Sequence, residues 1–231
     1  MEGVVREIVD GDTVLLESGK AVRLVGIQAP KLPLDRPGFP IQPLAEEAKA
    51  ALGELVLGKK VALRFAGRRE DRHGRYLAHL FDGEGQWVQG AMLARGLARV
   101  YSFADNRARI GEMLAIERKA RGQNRGIWAD PFYRVLDVQA VGERTNRFEL
   151  VEGRVRKAAV VKGRGYLNFG EDWREDFTIF LSRKTRRLFE REGIDIAAYA
   201  GKRVRVRGWV ARYNGPMIEA THPEQIEILM E

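Results

Sequence analysis

The sequence contains no cysteine and only three histidines among its 231 residues. The lack of cysteine excludes disulfide bonds, thiolate metal sites and cysteine nucleophiles. It does not determine the cellular compartment, since exported proteins can also lack cysteine. The three histidines, His73, His79 and His222, are too scattered along the chain to predict a zinc site.

Long apolar segments are also lacking. No apolar run approaches the roughly 20 residues that a membrane-spanning helix needs, so we expect no membrane partner. No segment has the pattern of a signal peptide, and the strand pattern begins by Val4. We expect a secreted or periplasmic protein if a native signal peptide has been lost, and a cytoplasmic protein otherwise.

Charge is abundant, with 40 Lys and Arg residues against 32 Asp and Glu residues and a net charge of +8. This basic balance makes a polyanion such as nucleic acid a plausible partner. A chain of 231 residues can bury one large core or two modest ones, and the usual size of a domain favours two. The oligomeric state is left open by these numbers.

Local patterns predict a mixed fold in the first part of the chain. Alternating β-branched and polar residues over the first 30 positions, with turn signals at Asp10-Gly11 and Ser18-Gly19, predict strands. Prolines between positions 30 and 43 predict a loop. Helical spacing predicts helices over 44–58, 87–101 and 110–128, and strands are predicted over 59–69 and 76–82.

The later part of the chain predicts a second, smaller domain. Residues 131–146 lack clear periodicity, so we expect a linker there between domains at 1–130 and 147–231. After it come strands, a short helix near 184–191 and more strands. This order within a short length is typical of a small Greek-key barrel of the OB type.

Seven segments of the first domain, in order, carry a family resemblance. Among them are "VDGDT", "RLVGIQAP", "DRHGRYLAHLF" and "WVQGAMLARGLARVY". Over Glu2 to Asp130 the chain resembles the staphylococcal nuclease, or thermonuclease, family. The resemblance implies an OB-like five-stranded barrel with three helices, and hence an α+β protein with two OB-type barrels. It also implies calcium-assisted hydrolysis of phosphodiesters in DNA and RNA.

The resemblance assigns roles to four residues that this sequence retains. Asp12 falls on the main calcium-binding aspartate and Asp10 on its outer neighbour, in keeping with the preference of calcium for oxygen ligands. Arg23 and Arg75 fall on the two arginines that grip the phosphate. A forked guanidinium suits the charge that develops on the phosphorus oxygens.

The sequence departs from the family where the segment Asp-x-Pro-Glu is usual and Gln28-Ala29-Pro30-Lys31 stands instead. The side-chain carbonyl of Gln28 and the backbone carbonyl of Ala29 are still candidate metal ligands. However, the cationic Lys31 would repel a nearby dication, and we expect calcium to bind weakly. Loss of the assisting glutamate predicts a rate lower by about 10²–10⁴-fold.

Two functions therefore stay open at this point. In the first, an altered catalytic site hydrolyses phosphodiesters. Either Lys31 takes over part of the electrostatic role of the ion at the phosphate, or Asp35, Glu46 or Glu47 supplies a displaced carboxylate. In the second, the chain is an inactive nucleic-acid-binding protein or protein scaffold. Activity as an enzyme is thus undecided by the sequence.

Further residues have the chemistry of nucleic-acid contacts, and single strands are favoured because aromatic side chains can stack on unpaired bases. In the first domain, the candidates for substrate binding are Arg72, His73 and Tyr101, although core packing is an equal alternative for Tyr101. In the second domain, basic and aromatic side chains could form an oligonucleotide-binding face. They are Tyr166, Phe169, Trp173, Arg205, Arg207, Trp209, Arg212 and Tyr213. The alternative role of this domain is to stabilise the first.

Overall fold

The computed structural model describes residues 1–34, 37–142 and 144–229. The chain forms two compact units, Met1–Tyr133 and Arg134–Glu231. Each unit has its own cluster of buried hydrophobic side chains. Within the described ranges, no helix has the length and apolar character that crossing a membrane would need.

The first unit is built around a closed barrel. Its strands are β1 (Glu2–Asp10), β2 (Thr13–Leu16), β3 (Ala21–Leu24), β4 (Gly26–Gln28), β5 (Lys60–Arg64), β6 (Tyr76–Phe81) and β7 (Arg99–Tyr101). The barrel has the order β1-β2-β3-β6-β5 and closes by pairing β5 with β1. The pair β3–β6 is parallel, and β4 and β7 form a separate antiparallel ribbon. The predicted five-stranded barrel is confirmed.

Three helices accompany the barrel, as expected: α1 (Ala45–Val56), α2 (Val88–Ala94) and α3 (Ile110–Gly122). Helix α1 buries Ala48, Leu52 and Val56, which recur at helical spacing, in the core of the first unit. Helix α2 is tied to the barrel by the buried side chain of Gln89. Its amide donates to the carbonyl of Ala78 and accepts from the backbone N–H of Leu80.

The single helix predicted over 87–101 is wrong. Helix α2 ends at Ala94, and Arg99–Tyr101 forms β7 instead. Gly96 has a φ of 69°, in the left-handed region that ends helices. The apolar residues that follow fit a buried strand as well as a helix, and their pairing with β4 decides the matter.

In its described residues, the second unit contains one eight-stranded sheet and a helix, α4 (Arg183–Arg191). Its strands are β8 (Leu136–Asp137), β9 (Phe148–Arg154), β10 (Lys157–Val161), β11 (Arg164–Asn168), β12 (Thr178–Leu181), β13 (Arg203–Tyr213), β14 (Gly215–Ala220) and β15 (Ile226–Ile228). The order is β10-β11-β12-β14-β13-β9-β8, with β15 also paired to β13. The α+β class with a barrel-like second domain is confirmed, although this sheet has eight strands where five were expected.

Two of the three extra strands, β8 and β15, are short and lie near the ends of the second unit. The range expected as a linker, 131–146, contains β8, which pairs with β9 in parallel, and Leu136 of β8 is buried. The longest strand, β13, pairs with β9 and β15 through its first part and with β14 through its last part. It therefore joins the two halves of the sheet.

Candidate nucleic-acid site

The turn between β1 and β2 brings Asp10 and Asp12 together. A Cβ atom at Gly11 would lie 2.7 Å from the Cβ atoms of both Ala29 and Ala48, so only glycine allows this close approach. The backbone N–H of Asp12 donates to Oδ1 of Asp10 at 3.1 Å. The backbone N–H of Ala29 donates to Oδ2 of Asp12 at 2.8 Å. These contacts fix the Asp12 carboxylate against the loop that follows β4 and the Asp10 carboxylate against its own turn.

The ammonium of Lys31 lies between the two carboxylates. Its Nζ atom is 2.7 Å from both side-chain oxygens of Asp12 and 3.0 Å from Oδ2 of Asp10. The backbone N–H of Lys31 donates to Oε1 of Gln42 at 2.9 Å, which anchors this part of the loop. Asp12 is fully buried, and the side chain of Lys31 is 18% exposed. A covalently attached cation thus occupies the space that both aspartates face.

Arg23, on β3, belongs to the same cluster. Its Nη1 atom lies 2.8 Å from Oδ1 of Asp12. The guanidinium also donates to the backbone carbonyl of Ile27 at 2.9 Å, and at 3.3 Å to those of Asp12 and Leu24. Several of its donors are therefore engaged inside the protein, where they hold the chain between β3 and β4.

The two aspartates have opposite shifts of pKa. Burial alone would raise the pKa of Asp12, but the charges of Arg23 and Lys31 outweigh burial and hold it far below its usual range. Burial and the negative charge of Asp12 raise the pKa of Asp10, against the effect of Lys31. Asp12 therefore stays ionised at neutral pH and is balanced by two cations.

The two other candidate ligands lie at the edge of this cluster. The Oε1 atom of Gln28 accepts from Nε of Arg99 at 3.1 Å and from Nη2 at 2.9 Å. Ala29 contributes its N–H to Asp12, as described. In the described part of the chain, no group of three or more His, Asp or Glu side chains could hold a metal ion. With Lys31 in contact with both aspartates, the residues present do not fit a calcium ion.

Arg75 lies in a separate turn and pairs with Asp71. Its Nε and Nη2 atoms are both 2.7 Å from Oδ2 of Asp71. Burial would raise the pKa of Asp71, but hydrogen bonds from Arg75 and from the backbone of His73 outweigh it and lower the pKa. Arg75 directly precedes β6, whose Leu77 pairs with Arg23 on β3. The turn is therefore next to the strand that carries Arg23, although the two arginines have different partners.

The candidate substrate contacts are at the surface of the first unit. Arg72 and His73 are exposed on the turn of Arg75, and Nε of Arg72 donates to Nε2 of His73 at 3.1 Å. Tyr101 is half-buried and packs edge-on against Phe103, with ring centroids 4.8 Å apart. Phe103 is itself 48% exposed. Tyr101 thus combines a packing role with partial access to solvent.

Among the described residues, the two glutamates considered as displaced catalytic groups make no hydrogen bond or ion pair to the Lys31 cluster. Glu46 and Glu47 are exposed in the first turn of α1, where acidic side chains interact favourably with the helix dipole. Asp35 lies outside the described residues. Neither glutamate thus supports a relocated general base.

Two residues that shape the site were missed from the sequence. Asp71 could have been found, because an acid and a base four residues apart around the Gly74 turn predict a local ion pair. Arg99 is 71 positions from its partner Gln28, and only the pairing of β7 with β4 brings them together. No local signal in the sequence indicates that contact.

Comparison with known proteins supports the resemblance of this chain to the staphylococcal nuclease family. The protein-family model described as "Staphylococcal nuclease homologue" matches residues 21–130. Protein ParB of Escherichia coli is 34% identical over 142 residues, which cover 57% of this chain and 74% of that protein. The chain belongs to the staphylococcal nuclease family.

Other members of this family are named as nucleases. Endonuclease YncB of Bacillus subtilis is 34% identical over 130 residues, covering 54% of this chain and 60% of that protein. Thermonuclease of Staphylococcus hyicus is 26% identical over 126 residues, covering 53% and 73%. The chain thus spans less than two thirds of the Bacillus endonuclease. These relatives are named as nucleases, and the enzymes of the family generally depend on calcium.

Proposed function

We propose that this chain binds nucleic acid through its first unit and does not cleave it by the calcium-dependent route of its family. The observation that carries the proposal is the position of the Lys31 ammonium, 2.7–3.0 Å from oxygens of Asp10 and Asp12. A calcium ion would have to displace this cation from carboxylates that it already neutralises. Gln28 and Lys31 supply no negative charge that would help a calcium ion to displace the ammonium.

The chemistry of proton transfer leads to the same conclusion. A general base must accept a proton from the attacking water. Lys31 stands where the family's assisting glutamate is usual, and a protonated ammonium cannot accept a proton. Asp12 receives donors from Arg23, Lys31 and Ala29, so its oxygens are already engaged. The cluster is therefore better suited to holding the loop and the barrel together than to activating water.

Binding is supported by the basic side chains near the site. Arg72 and His73 are exposed on one turn, and the side chain of Arg75 on the same turn is 34% exposed. With a net charge of +8, the chain attracts polyanions over a distance as well as by contact. Tyr101 and Phe103 add aromatic surface, which favours single strands.

A cleavage assay tests the loss of hydrolysis. Labelled single-stranded DNA and RNA would be incubated with calcium, with other divalent ions or with EDTA. We expect no cleavage by the wild type. We expect calcium-dependent cleavage by the Gln28→Asp/Lys31→Glu double variant, because it restores both carboxylates. Calcium-dependent cleavage by the wild type that Arg75→Ala abolishes would overturn the proposal and establish an altered but active nuclease.

An affinity measurement tests the binding. We expect Arg75→Ala to weaken binding of a labelled oligonucleotide several-fold, because it removes a cation beside the phosphates. Arg95→Ala is the matched control, since Arg95 is also partly exposed and paired, with Glu54 on α1. Equal losses in both variants would indicate only a general effect of charge, and no loss in either would contradict the proposed site.

A further inference from the structure

The second unit contains a groove on the outer face of its sheet. The groove has a volume of about 540 Å³. Its walls come from β10, β11, β12, β14, the end of β13 and the loop after β11. Alternation along paired strands explains the lining, because Lys157 faces Asn168, Ala159 faces Tyr166 and Thr178 faces Met217 across the ladders. All these residues belong to one unit.

Three aromatic side chains line this groove with their rings accessible. Trp173 is 52% exposed and Tyr213 is 74% exposed. Tyr166 is half-buried, and its ring packs against Phe180 with centroids 5.5 Å apart. Exposed aromatic faces in a concave surface are costly to leave in water and suit flat ligands.

The polar lining indicates what kind of flat ligand would fit. Arg156 and Lys157 are exposed at the groove, and Asn168 and Asn214 supply amide donors and acceptors. Glu171 is the one acidic side chain among the described lining residues, and Arg156 already pairs with it at 2.7 Å. The groove thus combines stacking surfaces, hydrogen-bonding amides and a positive balance of charge.

We infer that this groove binds a short stretch of single-stranded nucleic acid. Bases stack on Tyr166, Trp173 and Tyr213, and Lys157 and Arg156 contact the phosphates. A duplex hides the faces of its bases, so it cannot use these rings. The inference extends the proposed function to a second site, and it rests on that proposal only for the class of ligand.

Several residues expected from sequence to form this surface do not line the groove. Arg207 is buried and pairs with Glu227 at 2.6 Å. Arg205 pairs with Glu152, and Phe169 packs on the core of the unit. Trp209 is 52% exposed but lies outside the lining. The binding surface is therefore carried by β10, β11 and the loop of Trp173 more than by the arginines of β13.

The test measures the affinity of the full-length protein for thymidine and uridine oligonucleotides of about ten nucleotides. An abasic deoxyribose-phosphate strand of the same length is the comparison. We expect the abasic strand to bind about ten-fold more weakly, since stacking contributes through the bases. Tyr213→Ala and Trp173→Ala should each remove most of the preference for bases. Trp209→Ala is the matched control, because it removes an equally exposed tryptophan outside the groove.

The variants also separate this inference from the proposed function. If Arg75→Ala weakens all strands and the groove variants change nothing, the phosphate site stands and the groove proposal is wrong. If the groove variants lower affinity and Arg75→Ala does not, the groove stands and the first-unit site is wrong. A loss with Trp209→Ala as large as with Trp173→Ala would overturn the assignment of the lining. Comparison of the uridine strand with a deoxyuridine strand, which differs from it only in the 2′-hydroxyl, shows whether the groove favours RNA or DNA.

Discussion

At the scale of single residues, Lys31 determines the charge balance at the aspartates of the first unit. From the sequence alone, this lysine predicts repulsion of a calcium ion. That prediction assumes that the ion is bound at the aspartates. The structure shows more: the ammonium contacts both aspartates, and its own backbone N–H is held by Gln42. The direction of a side chain in a proline-containing loop is not encoded in any local pattern. For this reason the repulsive charge, and a partial replacement of the ion by Lys31, could be predicted from the sequence, whereas the contact of its ammonium with both aspartates could not.

Replacing Lys31 by methionine should destabilise the protein and allow a free cation to bind at Asp10 and Asp12. We expect a loss of about 2–4 kcal/mol, somewhat less than for breaking a fully buried ion pair, because Asp10 loses its contact with Lys31 while Asp12 keeps Arg23. Addition of calcium should raise the melting temperature of this variant, since the ion binds only the folded state. Thermal unfolding followed by circular dichroism, with and without calcium, measures both effects.

Lys20→Met is the matched control for this experiment. Lys20 pairs with Glu70 at 3.1 Å in an exposed position, and loss of such a pair costs less than about 1 kcal/mol. We expect no response of the control or of the wild type to calcium. A calcium-dependent rise in the wild type equal to that of Lys31→Met would mean that the ion and Lys31 do not compete.

At the scale of elements, periodicity was a good guide to helices and a poor guide to one strand. Helices α1 and α3 begin close to their predicted positions because their apolar residues recur on one face. Strand β7 was assigned to a helix because three residues carry too little periodicity to show their conformation. Its conformation depends on β4, which is far away in the sequence. The same distance hid the contact between Gln28 and Arg99.

Strand β6 should make stability depend on pH through His79. Nδ1 of His79 accepts from Nε1 of Trp87 at 3.3 Å, so the ring is neutral. Burial and the nearby charge of Arg109 lower the pKa of His79 from 6.5 to about 4. Between these values the unfolded chain takes up a proton that the folded chain does not. The free energy of unfolding should therefore fall as pH is lowered from about 6.5 toward about 4.

Urea denaturation at a series of pH values measures this effect, with His79→Gln as the comparison. The variant has no ionisable ring, so its free energy of unfolding should change less over the same range. His73→Gln is the control, because His73 is exposed on its turn. If His79→Gln and the wild type lose stability in parallel, the dependence on pH comes from other groups, such as the carboxylates.

At the scale of the whole molecule, the two units each contain a complete set of core residues. The first unit buries side chains from its barrel and all three helices. The second buries side chains from α4 and from each strand except β10, whose half-buried Ala158 packs against the core. The sequence predicted two domains from length and from the change of pattern near residue 131. It could not predict that part of the expected linker pairs with β9, because β8 has only two residues.

We expect a fragment ending at Tyr133 to fold without the rest of the chain. Its barrel closes through β1 and β5, and both strands lie within it. Circular dichroism and thermal unfolding of residues 1–133 measure this directly, and a cooperative transition is the expected result. A fragment without a cooperative transition would show that the first unit depends on the second for its stability. A fragment ending at Val100 is the negative control, because it lacks α3.

The ammonium of Lys31 has one more consequence. A calcium site is filled or empty according to the concentration of free ion around it, so a cell can regulate it by releasing or withdrawing calcium. A cation on a side chain remains at its carboxylates at any ion concentration, because its attachment is intramolecular. Under the proposed function, the first unit therefore needs no ion from the medium to balance these carboxylates. The family generally depends on calcium from the medium, whereas the cation at these carboxylates is part of the polypeptide from its synthesis.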